Sequence, residues 1–147
     1  MATNDTGGTP ATFEMLRAQL NQIHADLSKT HKALLDYERV RYERERGSIK
    51  SSGEFLRLVI DDPWFAWLQQ ASGLITQIDE FLSSKKPVEA SVGTALVARA
   101  REMFTPAVNG GAFQNAYGKA MQESPEVALA HAQWKLTLLR MEKLGHS

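Results

Sequence analysis

The feature that most constrains this chain is a run from Thr12 to Arg46 in which apolar residues return every three or four positions. Phe13, Leu16, Leu20, Ile23, Leu27, Leu34 and Tyr37 fall on one heptad seam, with Thr30 as its polar member. That spacing predicts an amphipathic helix laid lengthwise on other helices. At 1.5 Å per residue, about 35 residues make a rod of about 50 Å. A rod of that length cannot bury its seam alone, so the rest of the chain must supply partners.

It carries the segments to do so. Residues 1–9 are small and polar and are expected to form a flexible tail, leaving 10–147 as a single helical domain. Thr9-Pro10 suits a helix start and Gly47 a helix stop. Ser51 with Glu54 is a capping-box pattern ahead of Phe55, Leu58 and Val59. Asp61-Asp62-Pro63 interrupts that helix, and Asp62 is expected to cap a new one with Pro63 in its first turn. The new helix holds Trp64 through Leu82, and Ser83 to Pro87 is a turn. A further helix is expected over 88–104, followed by a loop at Thr105-Pro106 and Asn109-Gly110-Gly111. A short extra helix fits 112–122. Ser124-Pro125-Glu126 restarts the chain into a last helix carrying Val127, Ala130, Trp134, Leu138 and Met141. No stretch alternates with period two for long enough to make a strand.

The expected fold is therefore all-α: an antiparallel four-helix bundle whose second helix is broken at Pro63. Its core is expected to contain Leu16, Leu20, Ile23, Leu27 and Leu34 from the first helix. Leu58, Trp64, Leu68, Ile75 and Ile78 come from the second, Leu96 and Ala100 from the third, and Trp134, Leu138 and Met141 from the last.

Charge and composition narrow the function. Seventeen Lys and Arg balance seventeen Asp and Glu, which argues against a mainly electrostatic partner such as nucleic acid or an anionic membrane. There is no cysteine, hence no disulfide frame or thiol chemistry. Neither a leader-like start nor a membrane-length apolar run is present, so a cytoplasmic protein is expected. None of the eleven glutamates has a histidine three residues on, the pattern that di-iron bundles use. His24 and His31 share a face but stand about 10 Å apart along the axis. Two imidazoles on one metal must lie within about 4 Å. No metal or other cofactor is expected.

Two strings are distinctive: Leu58-Val59-Ile60-Asp61-Asp62-Pro63-Trp64-Phe65-Ala66-Trp67-Leu68, and Gln122-Glu123-Ser124-Pro125-Glu126-Val127-Ala128-Leu129-Ala130-His131-Ala132. With Leu35-Asp36-Tyr37-Glu38-Arg39, they make the chain resemble a group of small bacterial helical proteins that carry an Asp-Pro-Trp-Phe-Ala-Trp-Leu motif. Where Arg-Pro-Leu is expected to follow that motif, this chain has Gln69-Gln70-Ala71. The resemblance implies a soluble, helical, bacterial protein and brings no activity with it.

Two sets of residues remain as candidates for function. Arg39, Arg41, Arg44 and Arg46 alternate with Asp36, Glu38, Glu43 and Glu45, which makes a self-neutralising helix end rather than a basic patch. The seam nevertheless puts Arg41 and Arg44 at core positions. The helix is thus expected to leave its apolar surroundings near Tyr37, with Tyr37, Val40, Arg41, Tyr42 and Arg44 meeting a protein partner or a second copy. Trp64 and Trp67 share one face and Phe65 points away, which offers Trp67 as an additional anchor. The leading expectation is a non-enzymatic interaction protein, a homodimer included. The alternative is a ligand-binding or catalytic bundle, with Asp61, Asp62, Tyr117, His131 and Trp134 lining an inter-helix pocket.

Overall fold

The computed structural model describes residues 10–85, 88–106 and 110–145, with side chains for 12–85, 88–106 and 110–143. The expected tail, the Thr9 cap, the Lys86-Pro87 end of the turn and Asn109 lie outside the described residues. Among those described, every regular element is helical. The helices are α1 (Pro10–Arg46), α2 (Ser52–Asp61), a 3-10 helix (Pro63–Leu68), α3 (Gln69–Ser83), α4 (Ala90–Met103), α5 (Ala112–Glu123) and α6 (Pro125–Gly145).

Local chemistry sets the boundaries. Gly47 takes φ +100°, the left-handed conformation that closes a helix at little cost only in glycine. Its amide donates to the Glu43 carbonyl at 3.1 Å. The Glu43 carboxylate then accepts the Ile49 amide at 2.8 Å, pulling the loop back on α1 and burying Ile49. Ser51 Oγ caps α2 by accepting from the Glu54 amide at 3.1 Å. Glu54 reaches past Ser51 to the Lys50 amide. Asp62 Oδ1 accepts the Trp64 amide at 2.9 Å and starts the 3-10 helix, with Pro63 at its first position.

α1 is the spine. It packs against α3, α4, α6 and the 3-10 helix, while α5 bridges α6 and the 3-10 helix. Leu20, Ile23, Leu27 and Leu34 are wholly buried. Thr30, also wholly buried, returns its hydroxyl to the Asp26 carbonyl at 3.0 Å. α4 comes close where Gly93 meets α1 and α3. A methyl group there would stand 2.8 Å from both Leu16 and Phe81, so only glycine fits without the neighbours giving way.

Four expected core residues, Leu58, Trp64, Ile75 and Leu138, are only half-buried. The Pro63 segment accounts for the first two. A 3-10 helix has three residues per turn, so residues three apart eclipse. Phe65 and Leu68 therefore face the core together, while Trp64 and Trp67 line up on its flank. Leu58 lies on α2, a helix with no fully buried residue that leans on the 3-10 helix. α5 brings a second apolar group that the heptad seam did not foretell. Phe104, Phe113 and Tyr117 stack with ring centroids 5.2–6.0 Å apart, and Trp67 joins Phe113 at 5.3 Å. The end of α1 does not project freely either. Tyr42 packs against Trp64 and Phe65, and the Arg39 guanidinium lies 4.8 Å over the Phe55 ring.

Leu27→Ala is expected to cost about 2–5 kcal/mol in urea unfolding, the range for a fully buried leucine in a close-packed core. A cost below about 0.5 kcal/mol, the size of an ordinary surface effect, would show that this seam is not the core.

Candidate functional site

The end of α1 and the 3-10 helix meet at one carboxylate. Glu38 is 4% exposed. Its Oε2 accepts the Trp67 indole N–H at 2.7 Å and its Oε1 accepts the Trp64 indole N–H at 3.2 Å. Arg41, one turn along α1, donates to the same Oε1 at 2.5 Å and lies over the Trp64 and Tyr37 rings. A buried carboxylate is tolerable only with such a full set of donors. Both carboxylate oxygens are taken up by these three donors, so Glu38 works as a fastener between α1 and the 3-10 helix. Tyr37 donates its hydroxyl to Glu123. Burial, then that bond, push the Tyr37 pKa up to about 12, so the phenol stays protonated.

The interaction candidates divide accordingly. Tyr37, Arg41 and Trp67 converge around Glu38 and line a cavity of about 370 Å³ with Trp64 and Lys119. Tyr37, Val40, Arg41 and Arg44 line a second, of about 480 Å³, against Glu123, Ser124 and Glu126 at the start of α6. Tyr42 does not join them, because its ring is used against Trp64 and Phe65. Glu38 was legible only as one member of an i, i+3 ion pair. Its indole partners stand 26 and 29 residues away in sequence.

The pocket candidates meet in part. Tyr117 Oη lies 2.7 Å from His131 Nδ1, and with His131 in its neutral Nε2–H tautomer the phenol donates. Trp134, one turn further along α6, is wholly buried, and its indole N–H finds no acceptor among the described residues. Asp62 is spent on its cap and Asp61 is exposed at the end of α2. His131 lines none of the three cavities described here. Burial raises the Tyr117 pKa and, ahead of the Lys135 charge, lowers that of His131. Both shifts favour a neutral, hydrogen-bonded pair. Of the other histidines, His24 faces Asp79 at 3.8 Å and His31 is pushed down by burial. Among the described residues, no three His, Asp or Glu side chains stand where they could share a metal ion, and no helix is long and apolar enough to cross a membrane.

A third arrangement was not singled out in the sequence. Leu129, Leu136 and Leu139 are 75%, 49% and 54% exposed on α6. The inward side of the same helix buries Val127, Trp134 and Met141. Beside the exposed row runs a groove of about 560 Å³ between α1 and α6, with Lys29 and Ala33 on one wall and Leu129, Ala132 and Leu136 on the other. Asp26 closes its floor, a buried carboxylate that accepts from Gln22 at 3.0 Å and from the Thr137 hydroxyl across the helix pair. This groove and the 480 Å³ cavity share Ala33 and Glu126, so they form one trough along α1 and α6. The signal was present as leucines at 129, 136 and 139. They lie off the face that the spacing of Val127, Trp134 and Met141 turns inward. No family model, curated protein or solved structure matches the chain.

Glu38→Gln should destabilise the protein by about 1–3 kcal/mol, because one amide oxygen cannot serve three donors. Loss of near-UV circular dichroism from the clamped indoles should accompany the drop in urea midpoint. The histidines set a pH response. His31 and His131 both hold folded-state pKa values below the ordinary 6.5, so the unfolded chain binds more protons below that pH. Their contribution is fully present above 6.5 and is lost as pH falls towards their folded values. The urea midpoint should be lower at pH 5.5 than at pH 7.5, and His131→Gln should flatten the difference.

Proposed function

We propose that the protein is a non-enzymatic, cytoplasmic interaction module that binds another polypeptide helix along the outer face of α6 and its trough with α1. The row of exposed leucines on α6 carries this reading. Single exposed leucines are ordinary. Three on one helix at spacings of seven and three, beside a groove, have the form of a seam awaiting a second helix. Ala33, Ala130 and Ala132 keep the groove open to close approach. Arg41, Arg44, Asp36 and Glu123 form a polar rim at its far end, which suits the polar edge of a protein interface. Tyr37 and Val40 belong to that end, whereas Tyr42 and Trp67 serve the internal corner. We read the helices as an antiparallel bundle of α1, the broken α2–α3 unit, α4 and α6, with α5 as the extra piece. The bacterial resemblance is compatible with this reading and adds no activity to it.

The test separates surface from core. At a concentration where the parent is monomeric, Leu129→Ser with Leu136→Ser should leave unfolding stability within about 0.5 kcal/mol of the parent for each exposed site. A photo-cross-linker at position 136 should form an adduct of one defined mass in the cell, and one at the exposed Glu80 on α3 should not. Unfolding of the double variant, or absence of a defined adduct at 136, would overturn the reading.

A further inference from the structure

We infer that the helix seated on this face is α6 of a second copy, running antiparallel to the first. The inference rests on the docking face proposed above and names its occupant. In heptad terms, Leu129 and Leu136 hold one seam position of α6, and Ala132 and Leu139 hold the other. Val127, Trp134 and Met141, buried in the protein's own core, repeat every seven residues on the opposite side. The outward seam is thus in register with the core along the length of the helix.

An antiparallel pair closes this seam on itself. Leu129 of one copy meets Leu139 of the other, and Ala132 meets Leu136, so large residues face small ones or each other in four continuous layers. Charge selects the direction. On one flank of the seam stand Glu126, Gln133 and Arg140, and on the other Ala128, Lys135 and Glu142. Antiparallel alignment sets Glu126 against Arg140 of the second copy, twice per dimer by symmetry, and brings like charges together only where Lys135 meets its own copy near the axis. Parallel alignment would instead set Lys135 against Arg140 twice and make no opposite pair. Arg140 is exposed and makes no ion pair among the described residues, and Glu126 has only a long 3.4 Å bond from Ser124. Both are free to take these partners. Glu142 is already held by Arg101 from α4 at 3.4 Å, which steadies the far flank. Flanking charges of this kind fix orientation and partner more than affinity. An interface that uses the same patch twice closes at two copies and cannot propagate.

Sedimentation equilibrium of the full chain should give a mass that rises with concentration towards twice 16.4 kDa and stops there. Leu136→Glu should raise the dissociation constant by more than about tenfold, since a seam leucine is lost twice per dimer. Glu126→Arg and Arg140→Glu should each weaken the dimer several-fold, and the two together should restore it. Lys135→Gln should tighten it. Circular dichroism confirms that each variant keeps its helices. A dimer indifferent to both single charge reversals, or one not rescued by the double reversal, would overturn the antiparallel pairing. A strict monomer whose position-136 cross-link carries a foreign mass would overturn self-association while leaving the docking face standing. A monomer with no adduct would end both.

Discussion

The burial of one stripe on α1 is the constraint on which the rest of the molecule depends. Leu20, Ile23, Leu27 and Leu34 lose all contact with water, and each contributes about 1.5–3 kcal/mol of transfer free energy. The ion pairs along the same helix, Lys32–Asp36 and Arg39–Glu43, contribute a few tenths each. The comparison explains why α3, α4, α6 and the 3-10 helix all gather on α1. It also explains why the charged end of α1 needs a different device. Beyond Leu34 the apolar supply thins, and the Glu38 fastener takes over the task of joining α1 to its neighbours.

That change of device marks where the sequence stops being readable. The seam, the Gly47 stop, the Ser51 cap, the Asp62–Pro63 restart and the short helix around Phe113 and Tyr117 were all legible, because each depends on residues within about one turn of one another. The break at Pro63 was legible as a break but not as a 3-10 turn. A rotation of 120° rather than 100° per residue is enough to move Phe65 into the core and Trp64 to its flank. Glu38 read as one acid of a charged helix end, and Asp26 drew no notice. Their burial comes from Trp64, Trp67 and Thr137, donors that only tertiary structure brings near. The candidate site suffered most. Arg41 and Arg44 drew attention to the end of α1, while the apolar row of α6 went unremarked, because the three- and four-residue spacing that turns Val127, Trp134 and Leu138 inward says nothing of the leucines it leaves on the other side.

α6 thus carries two apolar faces with one helix between them. The inner face holds the bundle together and the outer face is left for company. Asp26 and Thr137 sit at the border between the two, near the base of the groove. A buried carboxylate–hydroxyl pair there fixes how far α6 rolls on α1, since a rotation would take the Thr137 donor from Asp26 Oδ2 and leave it only Gln22 on Oδ1. The orientation of the outer leucines is therefore set from inside.

The three tryptophans divide between these two halves of the structure. Trp64 and Trp67 give their indole N–H groups to the Glu38 carboxylate at a half-open corner, whereas Trp134 is wholly buried and its N–H finds no acceptor among the described residues. Their emission environments are correspondingly unlike: two polar and quenchable, one dry and protected. The protein carries its own pair of optical gauges, one reporting the clasp at the end of the spine and the other the seating of the last helix. Loosening of either would register separately in its native fluorescence.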